Sequence, residues 1–335
     1  MSWKRTFFLF LIFISIVLFY YYRADRSTVL SKPSLLSPDS AGPQKPILEL
    51  NLAEEIHQLS FNLSEPKSGL NPSAERKENE NPERVVLEYE GEKKWRIVHP
   101  VSAPAEAVVA DGLTSVLRLM PRVRELSFQS SSARDYGLDR PRQKICVEYG
   151  QKERCLLIGS QGAILKGIYA KWEHEDQFFL ASSELFNAFD RTLYSLRAKQ
   201  VLSFEANEIR SLQVRRAERE LLLLHEGNHW ILKKPDSSII GPETVQVVFS
   251  KLTHLYAKDF VDGVTSKDPK LGFQTPSCVI RLSFSDGSRQ TLVRGSEASG
   301  LDAYYVENSE RGAVFLVSIG KFSELERALE AIHPF

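Results

Sequence analysis

Cysteine, charge of one sign and recognisable catalytic motifs are all scarce in this chain, and each scarcity excludes something. Three cysteines among 335 residues (Cys146, Cys155 and Cys278) are too few for a disulfide-built scaffold, and they lack zinc-finger spacing. Lys+Arg and Asp+Glu both number 43, so the formal net charge is zero. A nucleic-acid binder shows a basic excess or stripe, and this chain has neither, so no nucleic-acid partner is expected. No serine sits in a G-x-S-x-G elbow. The glycine-rich GSQGAILKG, Gly159 to Gly167, lacks the G-x-x-x-x-G-K-[ST] order that cradles a phosphate. A similar stretch, GSEASG from Gly295 to Gly300, has no lysine, and both read as strand connections. No catalytic, cofactor-binding or metal residue is assigned, no cofactor is expected, and the chain reads as a non-enzyme. Hydrophobic residues at 42% and charged residues at 26% are ordinary globular proportions, so the length suffices for one large or two moderate domains.

Charge is missing altogether from residues 7–22, FFLFLIFISIVLFYYY, where Ser15 is the one hydroxyl outside the tyrosines. A helix spans a bilayer with roughly 17–25 apolar residues, so this run is at the short end. Tyr20, Tyr21 and Tyr22 suit the membrane interface. Lys4 and Arg5 precede the run and favour a cytoplasmic N-terminus, an argument that Arg23 and Arg26 weaken. No small-x-small cleavage site follows, so residues 1–22 read as an uncleaved anchor rather than a signal peptide. Residues 23–46 are rich in Ser and Pro and read as a stalk. The bulk of the chain is then expected outside the cytoplasm. A polar loop covers 62–83.

The remainder repeats itself. WRIVHP (Trp95 to Pro100) recurs as WILKKP (Trp230 to Pro235), 135 residues further on. YGLDRP (Tyr136 to Pro141) matches LGFQTP (Leu271 to Pro276) at the same offset, and ICVEY matches IRLSF. After a one-residue slip, Gly159 matches Gly295, Tyr169 matches Tyr305, and Arg191 matches Arg327. Upstream, Glu55 to Leu59 matches Glu208 to Leu212. The reading is two copies of one unit, 47–200 and 201–335.

Each copy is expected to open with three strands, the last two a hairpin. A helix follows, with Val109, Leu113, Val116, Leu117 and Met120 on one face in copy one. Val245, Val248, Leu252 and Leu255 do the same in copy two. Pro242 and Glu243 suit its first turn. Gly137 and Gly272 are expected in a backbone conformation that a Cβ penalises. Alternating strands come next, with Ile145, Val147 and Tyr149, and Ile280, Leu282 and Phe284, facing inward. A helix closes each unit, over 182–195 and 321–331. The expected fold class is α+β: two tandem copies of one unit, each an antiparallel sheet with a helix after the third strand and a closing helix, preceded by an N-terminal transmembrane helix.

His225-Glu226-Gly227-Asn228-His229 spells H-E-x-x-H, which on a helix is the zinc-peptidase signature. Gly227 and Asn228 are poor helix formers, and the other copy carries EYEGEKKW at the matching place with no ligand set. The shared element reads as a hairpin turn at Glu-Gly. In a three-residue turn the two histidines would face each other and could take up a stray divalent ion. Cys146 and Cys155 flank Gly150-Gln151: a two-residue turn sets them opposite, a three-residue turn on different faces. Two unlinked thiols are the default, with a bond the alternative outside the cytoplasm. Trp95 and Trp230 read as core residues rather than stacking platforms. Arg191 and Arg327 read as carbonyl caps or carboxylate partners.

The order W-x4-P, helix, Y-G-L-x-x-P, strand, L-x-I-G, then a tyrosine strand resembles a bacterial family of membrane-anchored proteins of unknown function. Its members are often encoded beside ABC-type transporter subunits of the gliding-motility type. The resemblance covers roughly 84–335, and Leu271 and Phe273 depart from the Tyr and Leu of Y-G-L. It implies no reaction and no catalytic residue. It implies an envelope accessory role, and together with the anchor and stalk the reading is a single-pass protein of the inner (cytoplasmic) membrane, mostly periplasmic, acting as accessory or scaffold to an ABC-type transport complex. The alternative is an extracytoplasmic binding module for an envelope polymer or small ligand, lodged between the two copies.

Overall fold

The computed structural model describes residues 45–50, 54–64, 83–126, 133–162 and 167–334. The anchor expected over 1–22 lies outside the described residues, as do most of the stalk and of the polar loop. Among the described residues no helix is long and apolar enough to cross a membrane. The fold is therefore stated without the transmembrane helix that the α+β expectation included.

The α+β expectation itself is corrected: the protein is mostly β. The first sheet draws on β1 (Ile56–Asn62), β2 (Arg84–Gly91), β3 (Lys94–His99), β4 (Ala103–Pro104), β5 (Arg124–Leu126), β6 (Gln143–Tyr149), β7 (Lys152–Gln161), β8 (Ile168–Trp172) and β9 (Phe178–Ala181). The second draws on β10 (Ile209–Arg216), β11 (Arg219–Glu226), β12 (His229–Lys234), β13 (Ser238–Ile240), β14 (Asp259–Phe260), β15 (Cys278–Phe284), β16 (Arg289–Ala298), β17 (Ala303–Asn308) and β18 (Ala313–Ser318). Both are nine-stranded, ordered β4-β3-β2-β1-β6-β7-β8-β9-β5 and β13-β12-β11-β10-β15-β16-β17-β18-β14. Strand for strand, the two orders are the same. Even the irregularities recur. A register shift follows Ile56 in β1 and Ile209 in β10, and another interrupts β7–β8 and β16–β17. Both W-x4-P prolines, Pro100 and Pro235, follow cis peptide bonds.

Among the described residues helices are few: α1 (Ala107–Leu119), α2 (Glu184–Phe189), α3 (Leu193–Leu196), α4 (Pro242–Thr253) and α5 (Ile319–Glu330). The expectation overweighted them because periodic helices announce themselves, whereas β4, β5, β13 and β14 are two or three residues long and show no alternation. Those strands exist because a neighbour pairs with them. The closing helix of the first half is broken into α2 and α3 at Asp190, with the Thr192 hydroxyl accepting from the Ser195 amide. In α1 the buried face is Ala110, Leu113 and Leu117, while Val109 and Val116, and Met120 just past the helix end, are only partly covered. In α4 it is Val245, Val248, Phe249 and Leu252, with Gly241 as N-cap and Pro242 opening the helix. Leu255 is buried beyond the helix end.

Alternation along β6 and β15 buries Ile145, Val147 and Tyr149, and Ile280, Leu282 and Phe284. Each sheet has its own large core cluster, with Trp95 and Phe61 in one and Trp230 and Phe249 in the other. Each such side chain contributes about 1.5–3 kcal/mol when fully buried. The Y-G-L turn explains the matched glycines. Gly137 and Gly272 have φ of +67° and +74°. A Cβ on Gly159 would lie 2.2 Å from the Tyr136 carbonyl oxygen, and one on Gly295 would lie 1.9 Å from that of Leu271. In each half the turn backbone rests on a bare strand glycine.

The halves are joined by residues 197–201. The Ala198 amide donates to the Pro104 carbonyl of edge strand β4 (2.9 Å), and the Ala257 amide donates to the Lys199 carbonyl (2.7 Å). The Val201 amide donates to Leu255 (3.0 Å), while its carbonyl accepts from the Asn308 side chain (2.9 Å). The connection is thus tied to both halves along its length rather than hanging between them.

Candidate functional site

The H-E-x-x-H residues occupy a hairpin. His225 and Glu226 end β11, Gly227 turns with φ +60°, and His229 opens β12. Glu226 pairs with His229 and His225 with Trp230, so the turn has two residues. Cross-strand partners share a sheet face and successive residues alternate, so the two histidines point to opposite faces. The facing pair that a three-residue turn would produce is absent. The His225 ring is stacked on Trp230 at 4.7 Å and 17°, which makes it packing. Its Nδ1 has no partner among the described residues.

Cys146 and Cys155 are directly opposed across β6 and β7 and form a disulfide, correcting the default of two free thiols. The Gly150-Gln151 connection is a two-residue turn, and that fixes the register. Among the described residues, Cys146, Glu153 and Cys155 form the one group of three side chains close enough to share a metal ion. The bond between its two sulfurs leaves a single carboxylate as donor. Cys278 is free and buried, and burial pushes its thiol up to about 11.

Trp95 and Trp230 are buried, and the Trp95 indole N–H donates to Asp111 Oδ1 (2.8 Å). Arg191 donates from Nε to the Ala188 carbonyl (2.7 Å), a cap. The carbonyl of Arg327 accepts from the Ala331 amide at the end of α5. Of the glycine-rich stretches, Gly159 and Gly295 lie inside β7 and β16, and 163–166 lie outside the described residues. The Gly295 to Gly300 stretch is the end of β16 running into a turn, not a phosphate loop.

Among the described residues, one concave site is at the junction of the halves. A cleft of about 500 Å³ is lined from the first half by Arg96, Ser102 and Pro104, from the connection by Arg197, and from the second half by Phe260 and Asp262, with Arg311 beside them. That volume falls within the roughly 300–1,000 Å³ of small-ligand clefts. Two edge strands, β4 and β14, flank it. Arg197 is 7% exposed. Its guanidinium carbon lies 3.7 Å from the centre of the Phe260 ring, and Nη1 donates to Asp262 Oδ2 (2.6 Å). No protein group among the described residues accepts from its Nε–H. Phe260 itself packs between Tyr194 and Phe315. On the rim, Arg96 Nε donates to Glu90 (2.6 Å), and Arg311 Nη1 donates to the Gln200 carbonyl (3.2 Å). Partial desolvation draws Arg311 below the usual guanidinium range. Glu310 is turned aside, accepting from the Thr291 amide (2.5 Å) and hydroxyl (2.9 Å).

Sequence reasoning named none of these cleft residues. Arg96 aligns with Ile231, and Arg197 lies in the connection, so comparing the two copies discards both. The one available signal was the W-R beside an invariant tryptophan position within the repeat, which is a weak one.

Comparison with curated proteins finds no match. A family model described as a domain of unknown function, DUF4340, matches residues 95–276. The matched stretch runs from β3 to the segment before β15 and takes in the connection and most of the cleft. With more than half of its length covered, this chain belongs to the DUF4340 family.

Proposed function

We propose that this protein is a non-enzymatic envelope protein, held at the inner membrane by its apolar N-terminal run, that works by binding at the cleft between its two halves. The observation that carries the reading is the cleft itself, which neither half could build alone. The disposition of the H-E-x-x-H histidines on opposite sheet faces supports a binding role over metal-dependent hydrolysis. The polar, arginine-lined character of the junction favours the binding module over a purely passive scaffold. For the partner we infer an ABC-type transport complex, on the family resemblance described above.

Photo-crosslinking in cells tests both parts. A photoreactive residue at Ser102 or Val264, on the cleft wall, is expected to crosslink to ABC-type subunits. The same residue at Ser288, in the β15–β16 turn outside the cleft, is expected not to. Crosslinking equal at all three sites would overturn the cleft as the binding surface. Recovery of this chain alone from detergent-solubilised cells would overturn the transport partner.

A further inference from the structure

We infer that the junction cleft is an oxyanion subsite, taking a carboxylate or phosphate group on Arg197 with Arg96 and Arg311 at its rim. The inference rests on the cleft being the binding surface and adds the chemistry of what enters it.

Arg197 provides the fixed contact. It is nine-tenths buried, yet it opens on the cleft. Asp262 engages Nη1, and Nε–H has no protein acceptor among the described residues; Nε–H is one donor of the side-on edge by which a guanidinium meets an oxyanion. A buried donor left unanswered is costly, and one on a charged group more so. The Phe260 ring beneath the guanidinium holds it in plane and keeps that side dry, which strengthens any charge interaction there.

The charge balance points the same way. Three arginines and two carboxylates, Asp262 and Glu310, line the cleft. Asp262 pairs with Arg197, and Glu310 is held by Thr291 and keeps its negative charge. Arg96 has Glu90 outside the cleft. Arg311 has only a backbone carbonyl. Counted over the lining alone, three arginines exceed the two carboxylates by one positive charge, Glu90 pairing with Arg96 from outside the cleft, and a concave site with such a local excess favours an anionic group.

The test uses the full chain in non-ionic detergent, with inorganic phosphate and citrate as probes against sodium chloride at matched ionic strength. Thermal unfolding midpoints are read across each titration. The expected result is a midpoint that rises with phosphate, citrate or both, but not with chloride. Arg311→Gln and Arg96→Gln, both at solvent-open positions, should each weaken the apparent affinity about tenfold. Arg197→Lys keeps the charge but loses the fork, and should weaken it further. A response to phosphate alone assigns a phosphoryl source, to citrate alone a carboxylate source, and to both the shared chemistry. No response to either probe overturns the inference, as does an equal response in the Arg96→Gln/Arg311→Gln double variant. If cleft crosslinking persists while neither anion binds, this inference falls and the binding surface stands. If crosslinking from the cleft is lost, the parent reading falls.

Discussion

At the level of single residues, glycine is the most informative type in this chain. Gly295 is bare because the Leu271 carbonyl occupies the space a Cβ would take. The obstacle is backbone, which cannot swing aside, so Gly295→Ala should lower stability by about 1–3 kcal/mol in urea unfolding. By contrast, Gly287 has nothing within 4 Å of a built Cβ, and its constraint is its φ of +83° alone. Cys278 makes a second residue-scale prediction. Its thiol is raised from about 9 to about 11 by burial, with Arg294 partly opposing. The folded state therefore keeps its proton where the unfolded chain has lost one. The associated stability is fully present below pH 9 and declines as pH rises toward 11, by about 2–3 kcal/mol. Denaturant titrations at pH 8 and pH 10.5 on Cys278→Ala and the parent should show the parent losing more. Gly137 and Gly272 were legible at this scale, since a turn glycine before a fixed proline has a local cause. The positive charge of Arg197 was legible, but its burial was not, because burial is conferred by Phe260, far away in sequence.

At the level of elements, pairing decides what propensity leaves open. The β6–β7 turn has two residues rather than three, and that single residue of register sets Cys146 against Cys155. A one-residue slip would have moved one sulfur to the other sheet face. Closing a loop of this length should contribute about 2–3 kcal/mol through the unfolded state. Cys146→Ser/Cys155→Ser should lower urea stability by that amount, and dithiothreitol should reproduce the loss in the parent but not in the variant. The same logic governs H-E-x-x-H. The spelling was visible, and so was the poor helix propensity of Gly227-Asn228; the turn length that separates the histidines was not. Short edge strands such as β4 and β14 were invisible for the same reason, and their number is why the α+β expectation gave way to a mostly β protein. Helix starts fared better, because Pro242 after Gly241 is a local signal.

At the level of the whole molecule, two separate cores are tied by one short connection. Its hydrogen bonds to β4 and to the segment before β14 run on both sides. Asp262 on one side of the cleft neutralises Arg197 from the connection, whose side chain is 8% exposed against 44% for Asp262. Asp262→Asn leaves a covered cation without its counter-charge; the open face of the pair moderates the cost to about 1–2 kcal/mol. Ala198→Pro removes the amide that donates to Pro104 and should loosen the halves more than either core. Calorimetry is expected to resolve two transitions in Ala198→Pro where the parent shows closer coupling. A single transition of unchanged width would show that the connection does not couple the halves.

The sequence by itself determined the doubling of motifs, the turn glycines, the strand faces of β6 and β15 and the start of α4. Each of these depends on neighbours a few residues away or on direct comparison of two similar stretches. Tertiary structure alone decided the nine-strand extent of each sheet, the disulfide, the separation of His225 from His229 and the existence of the cleft. Those features depend on which backbone edges meet and in what register, and on burial supplied from distant parts of the chain. The cleft in particular arises where the halves differ, so the comparison that revealed the repeat was bound to pass over it.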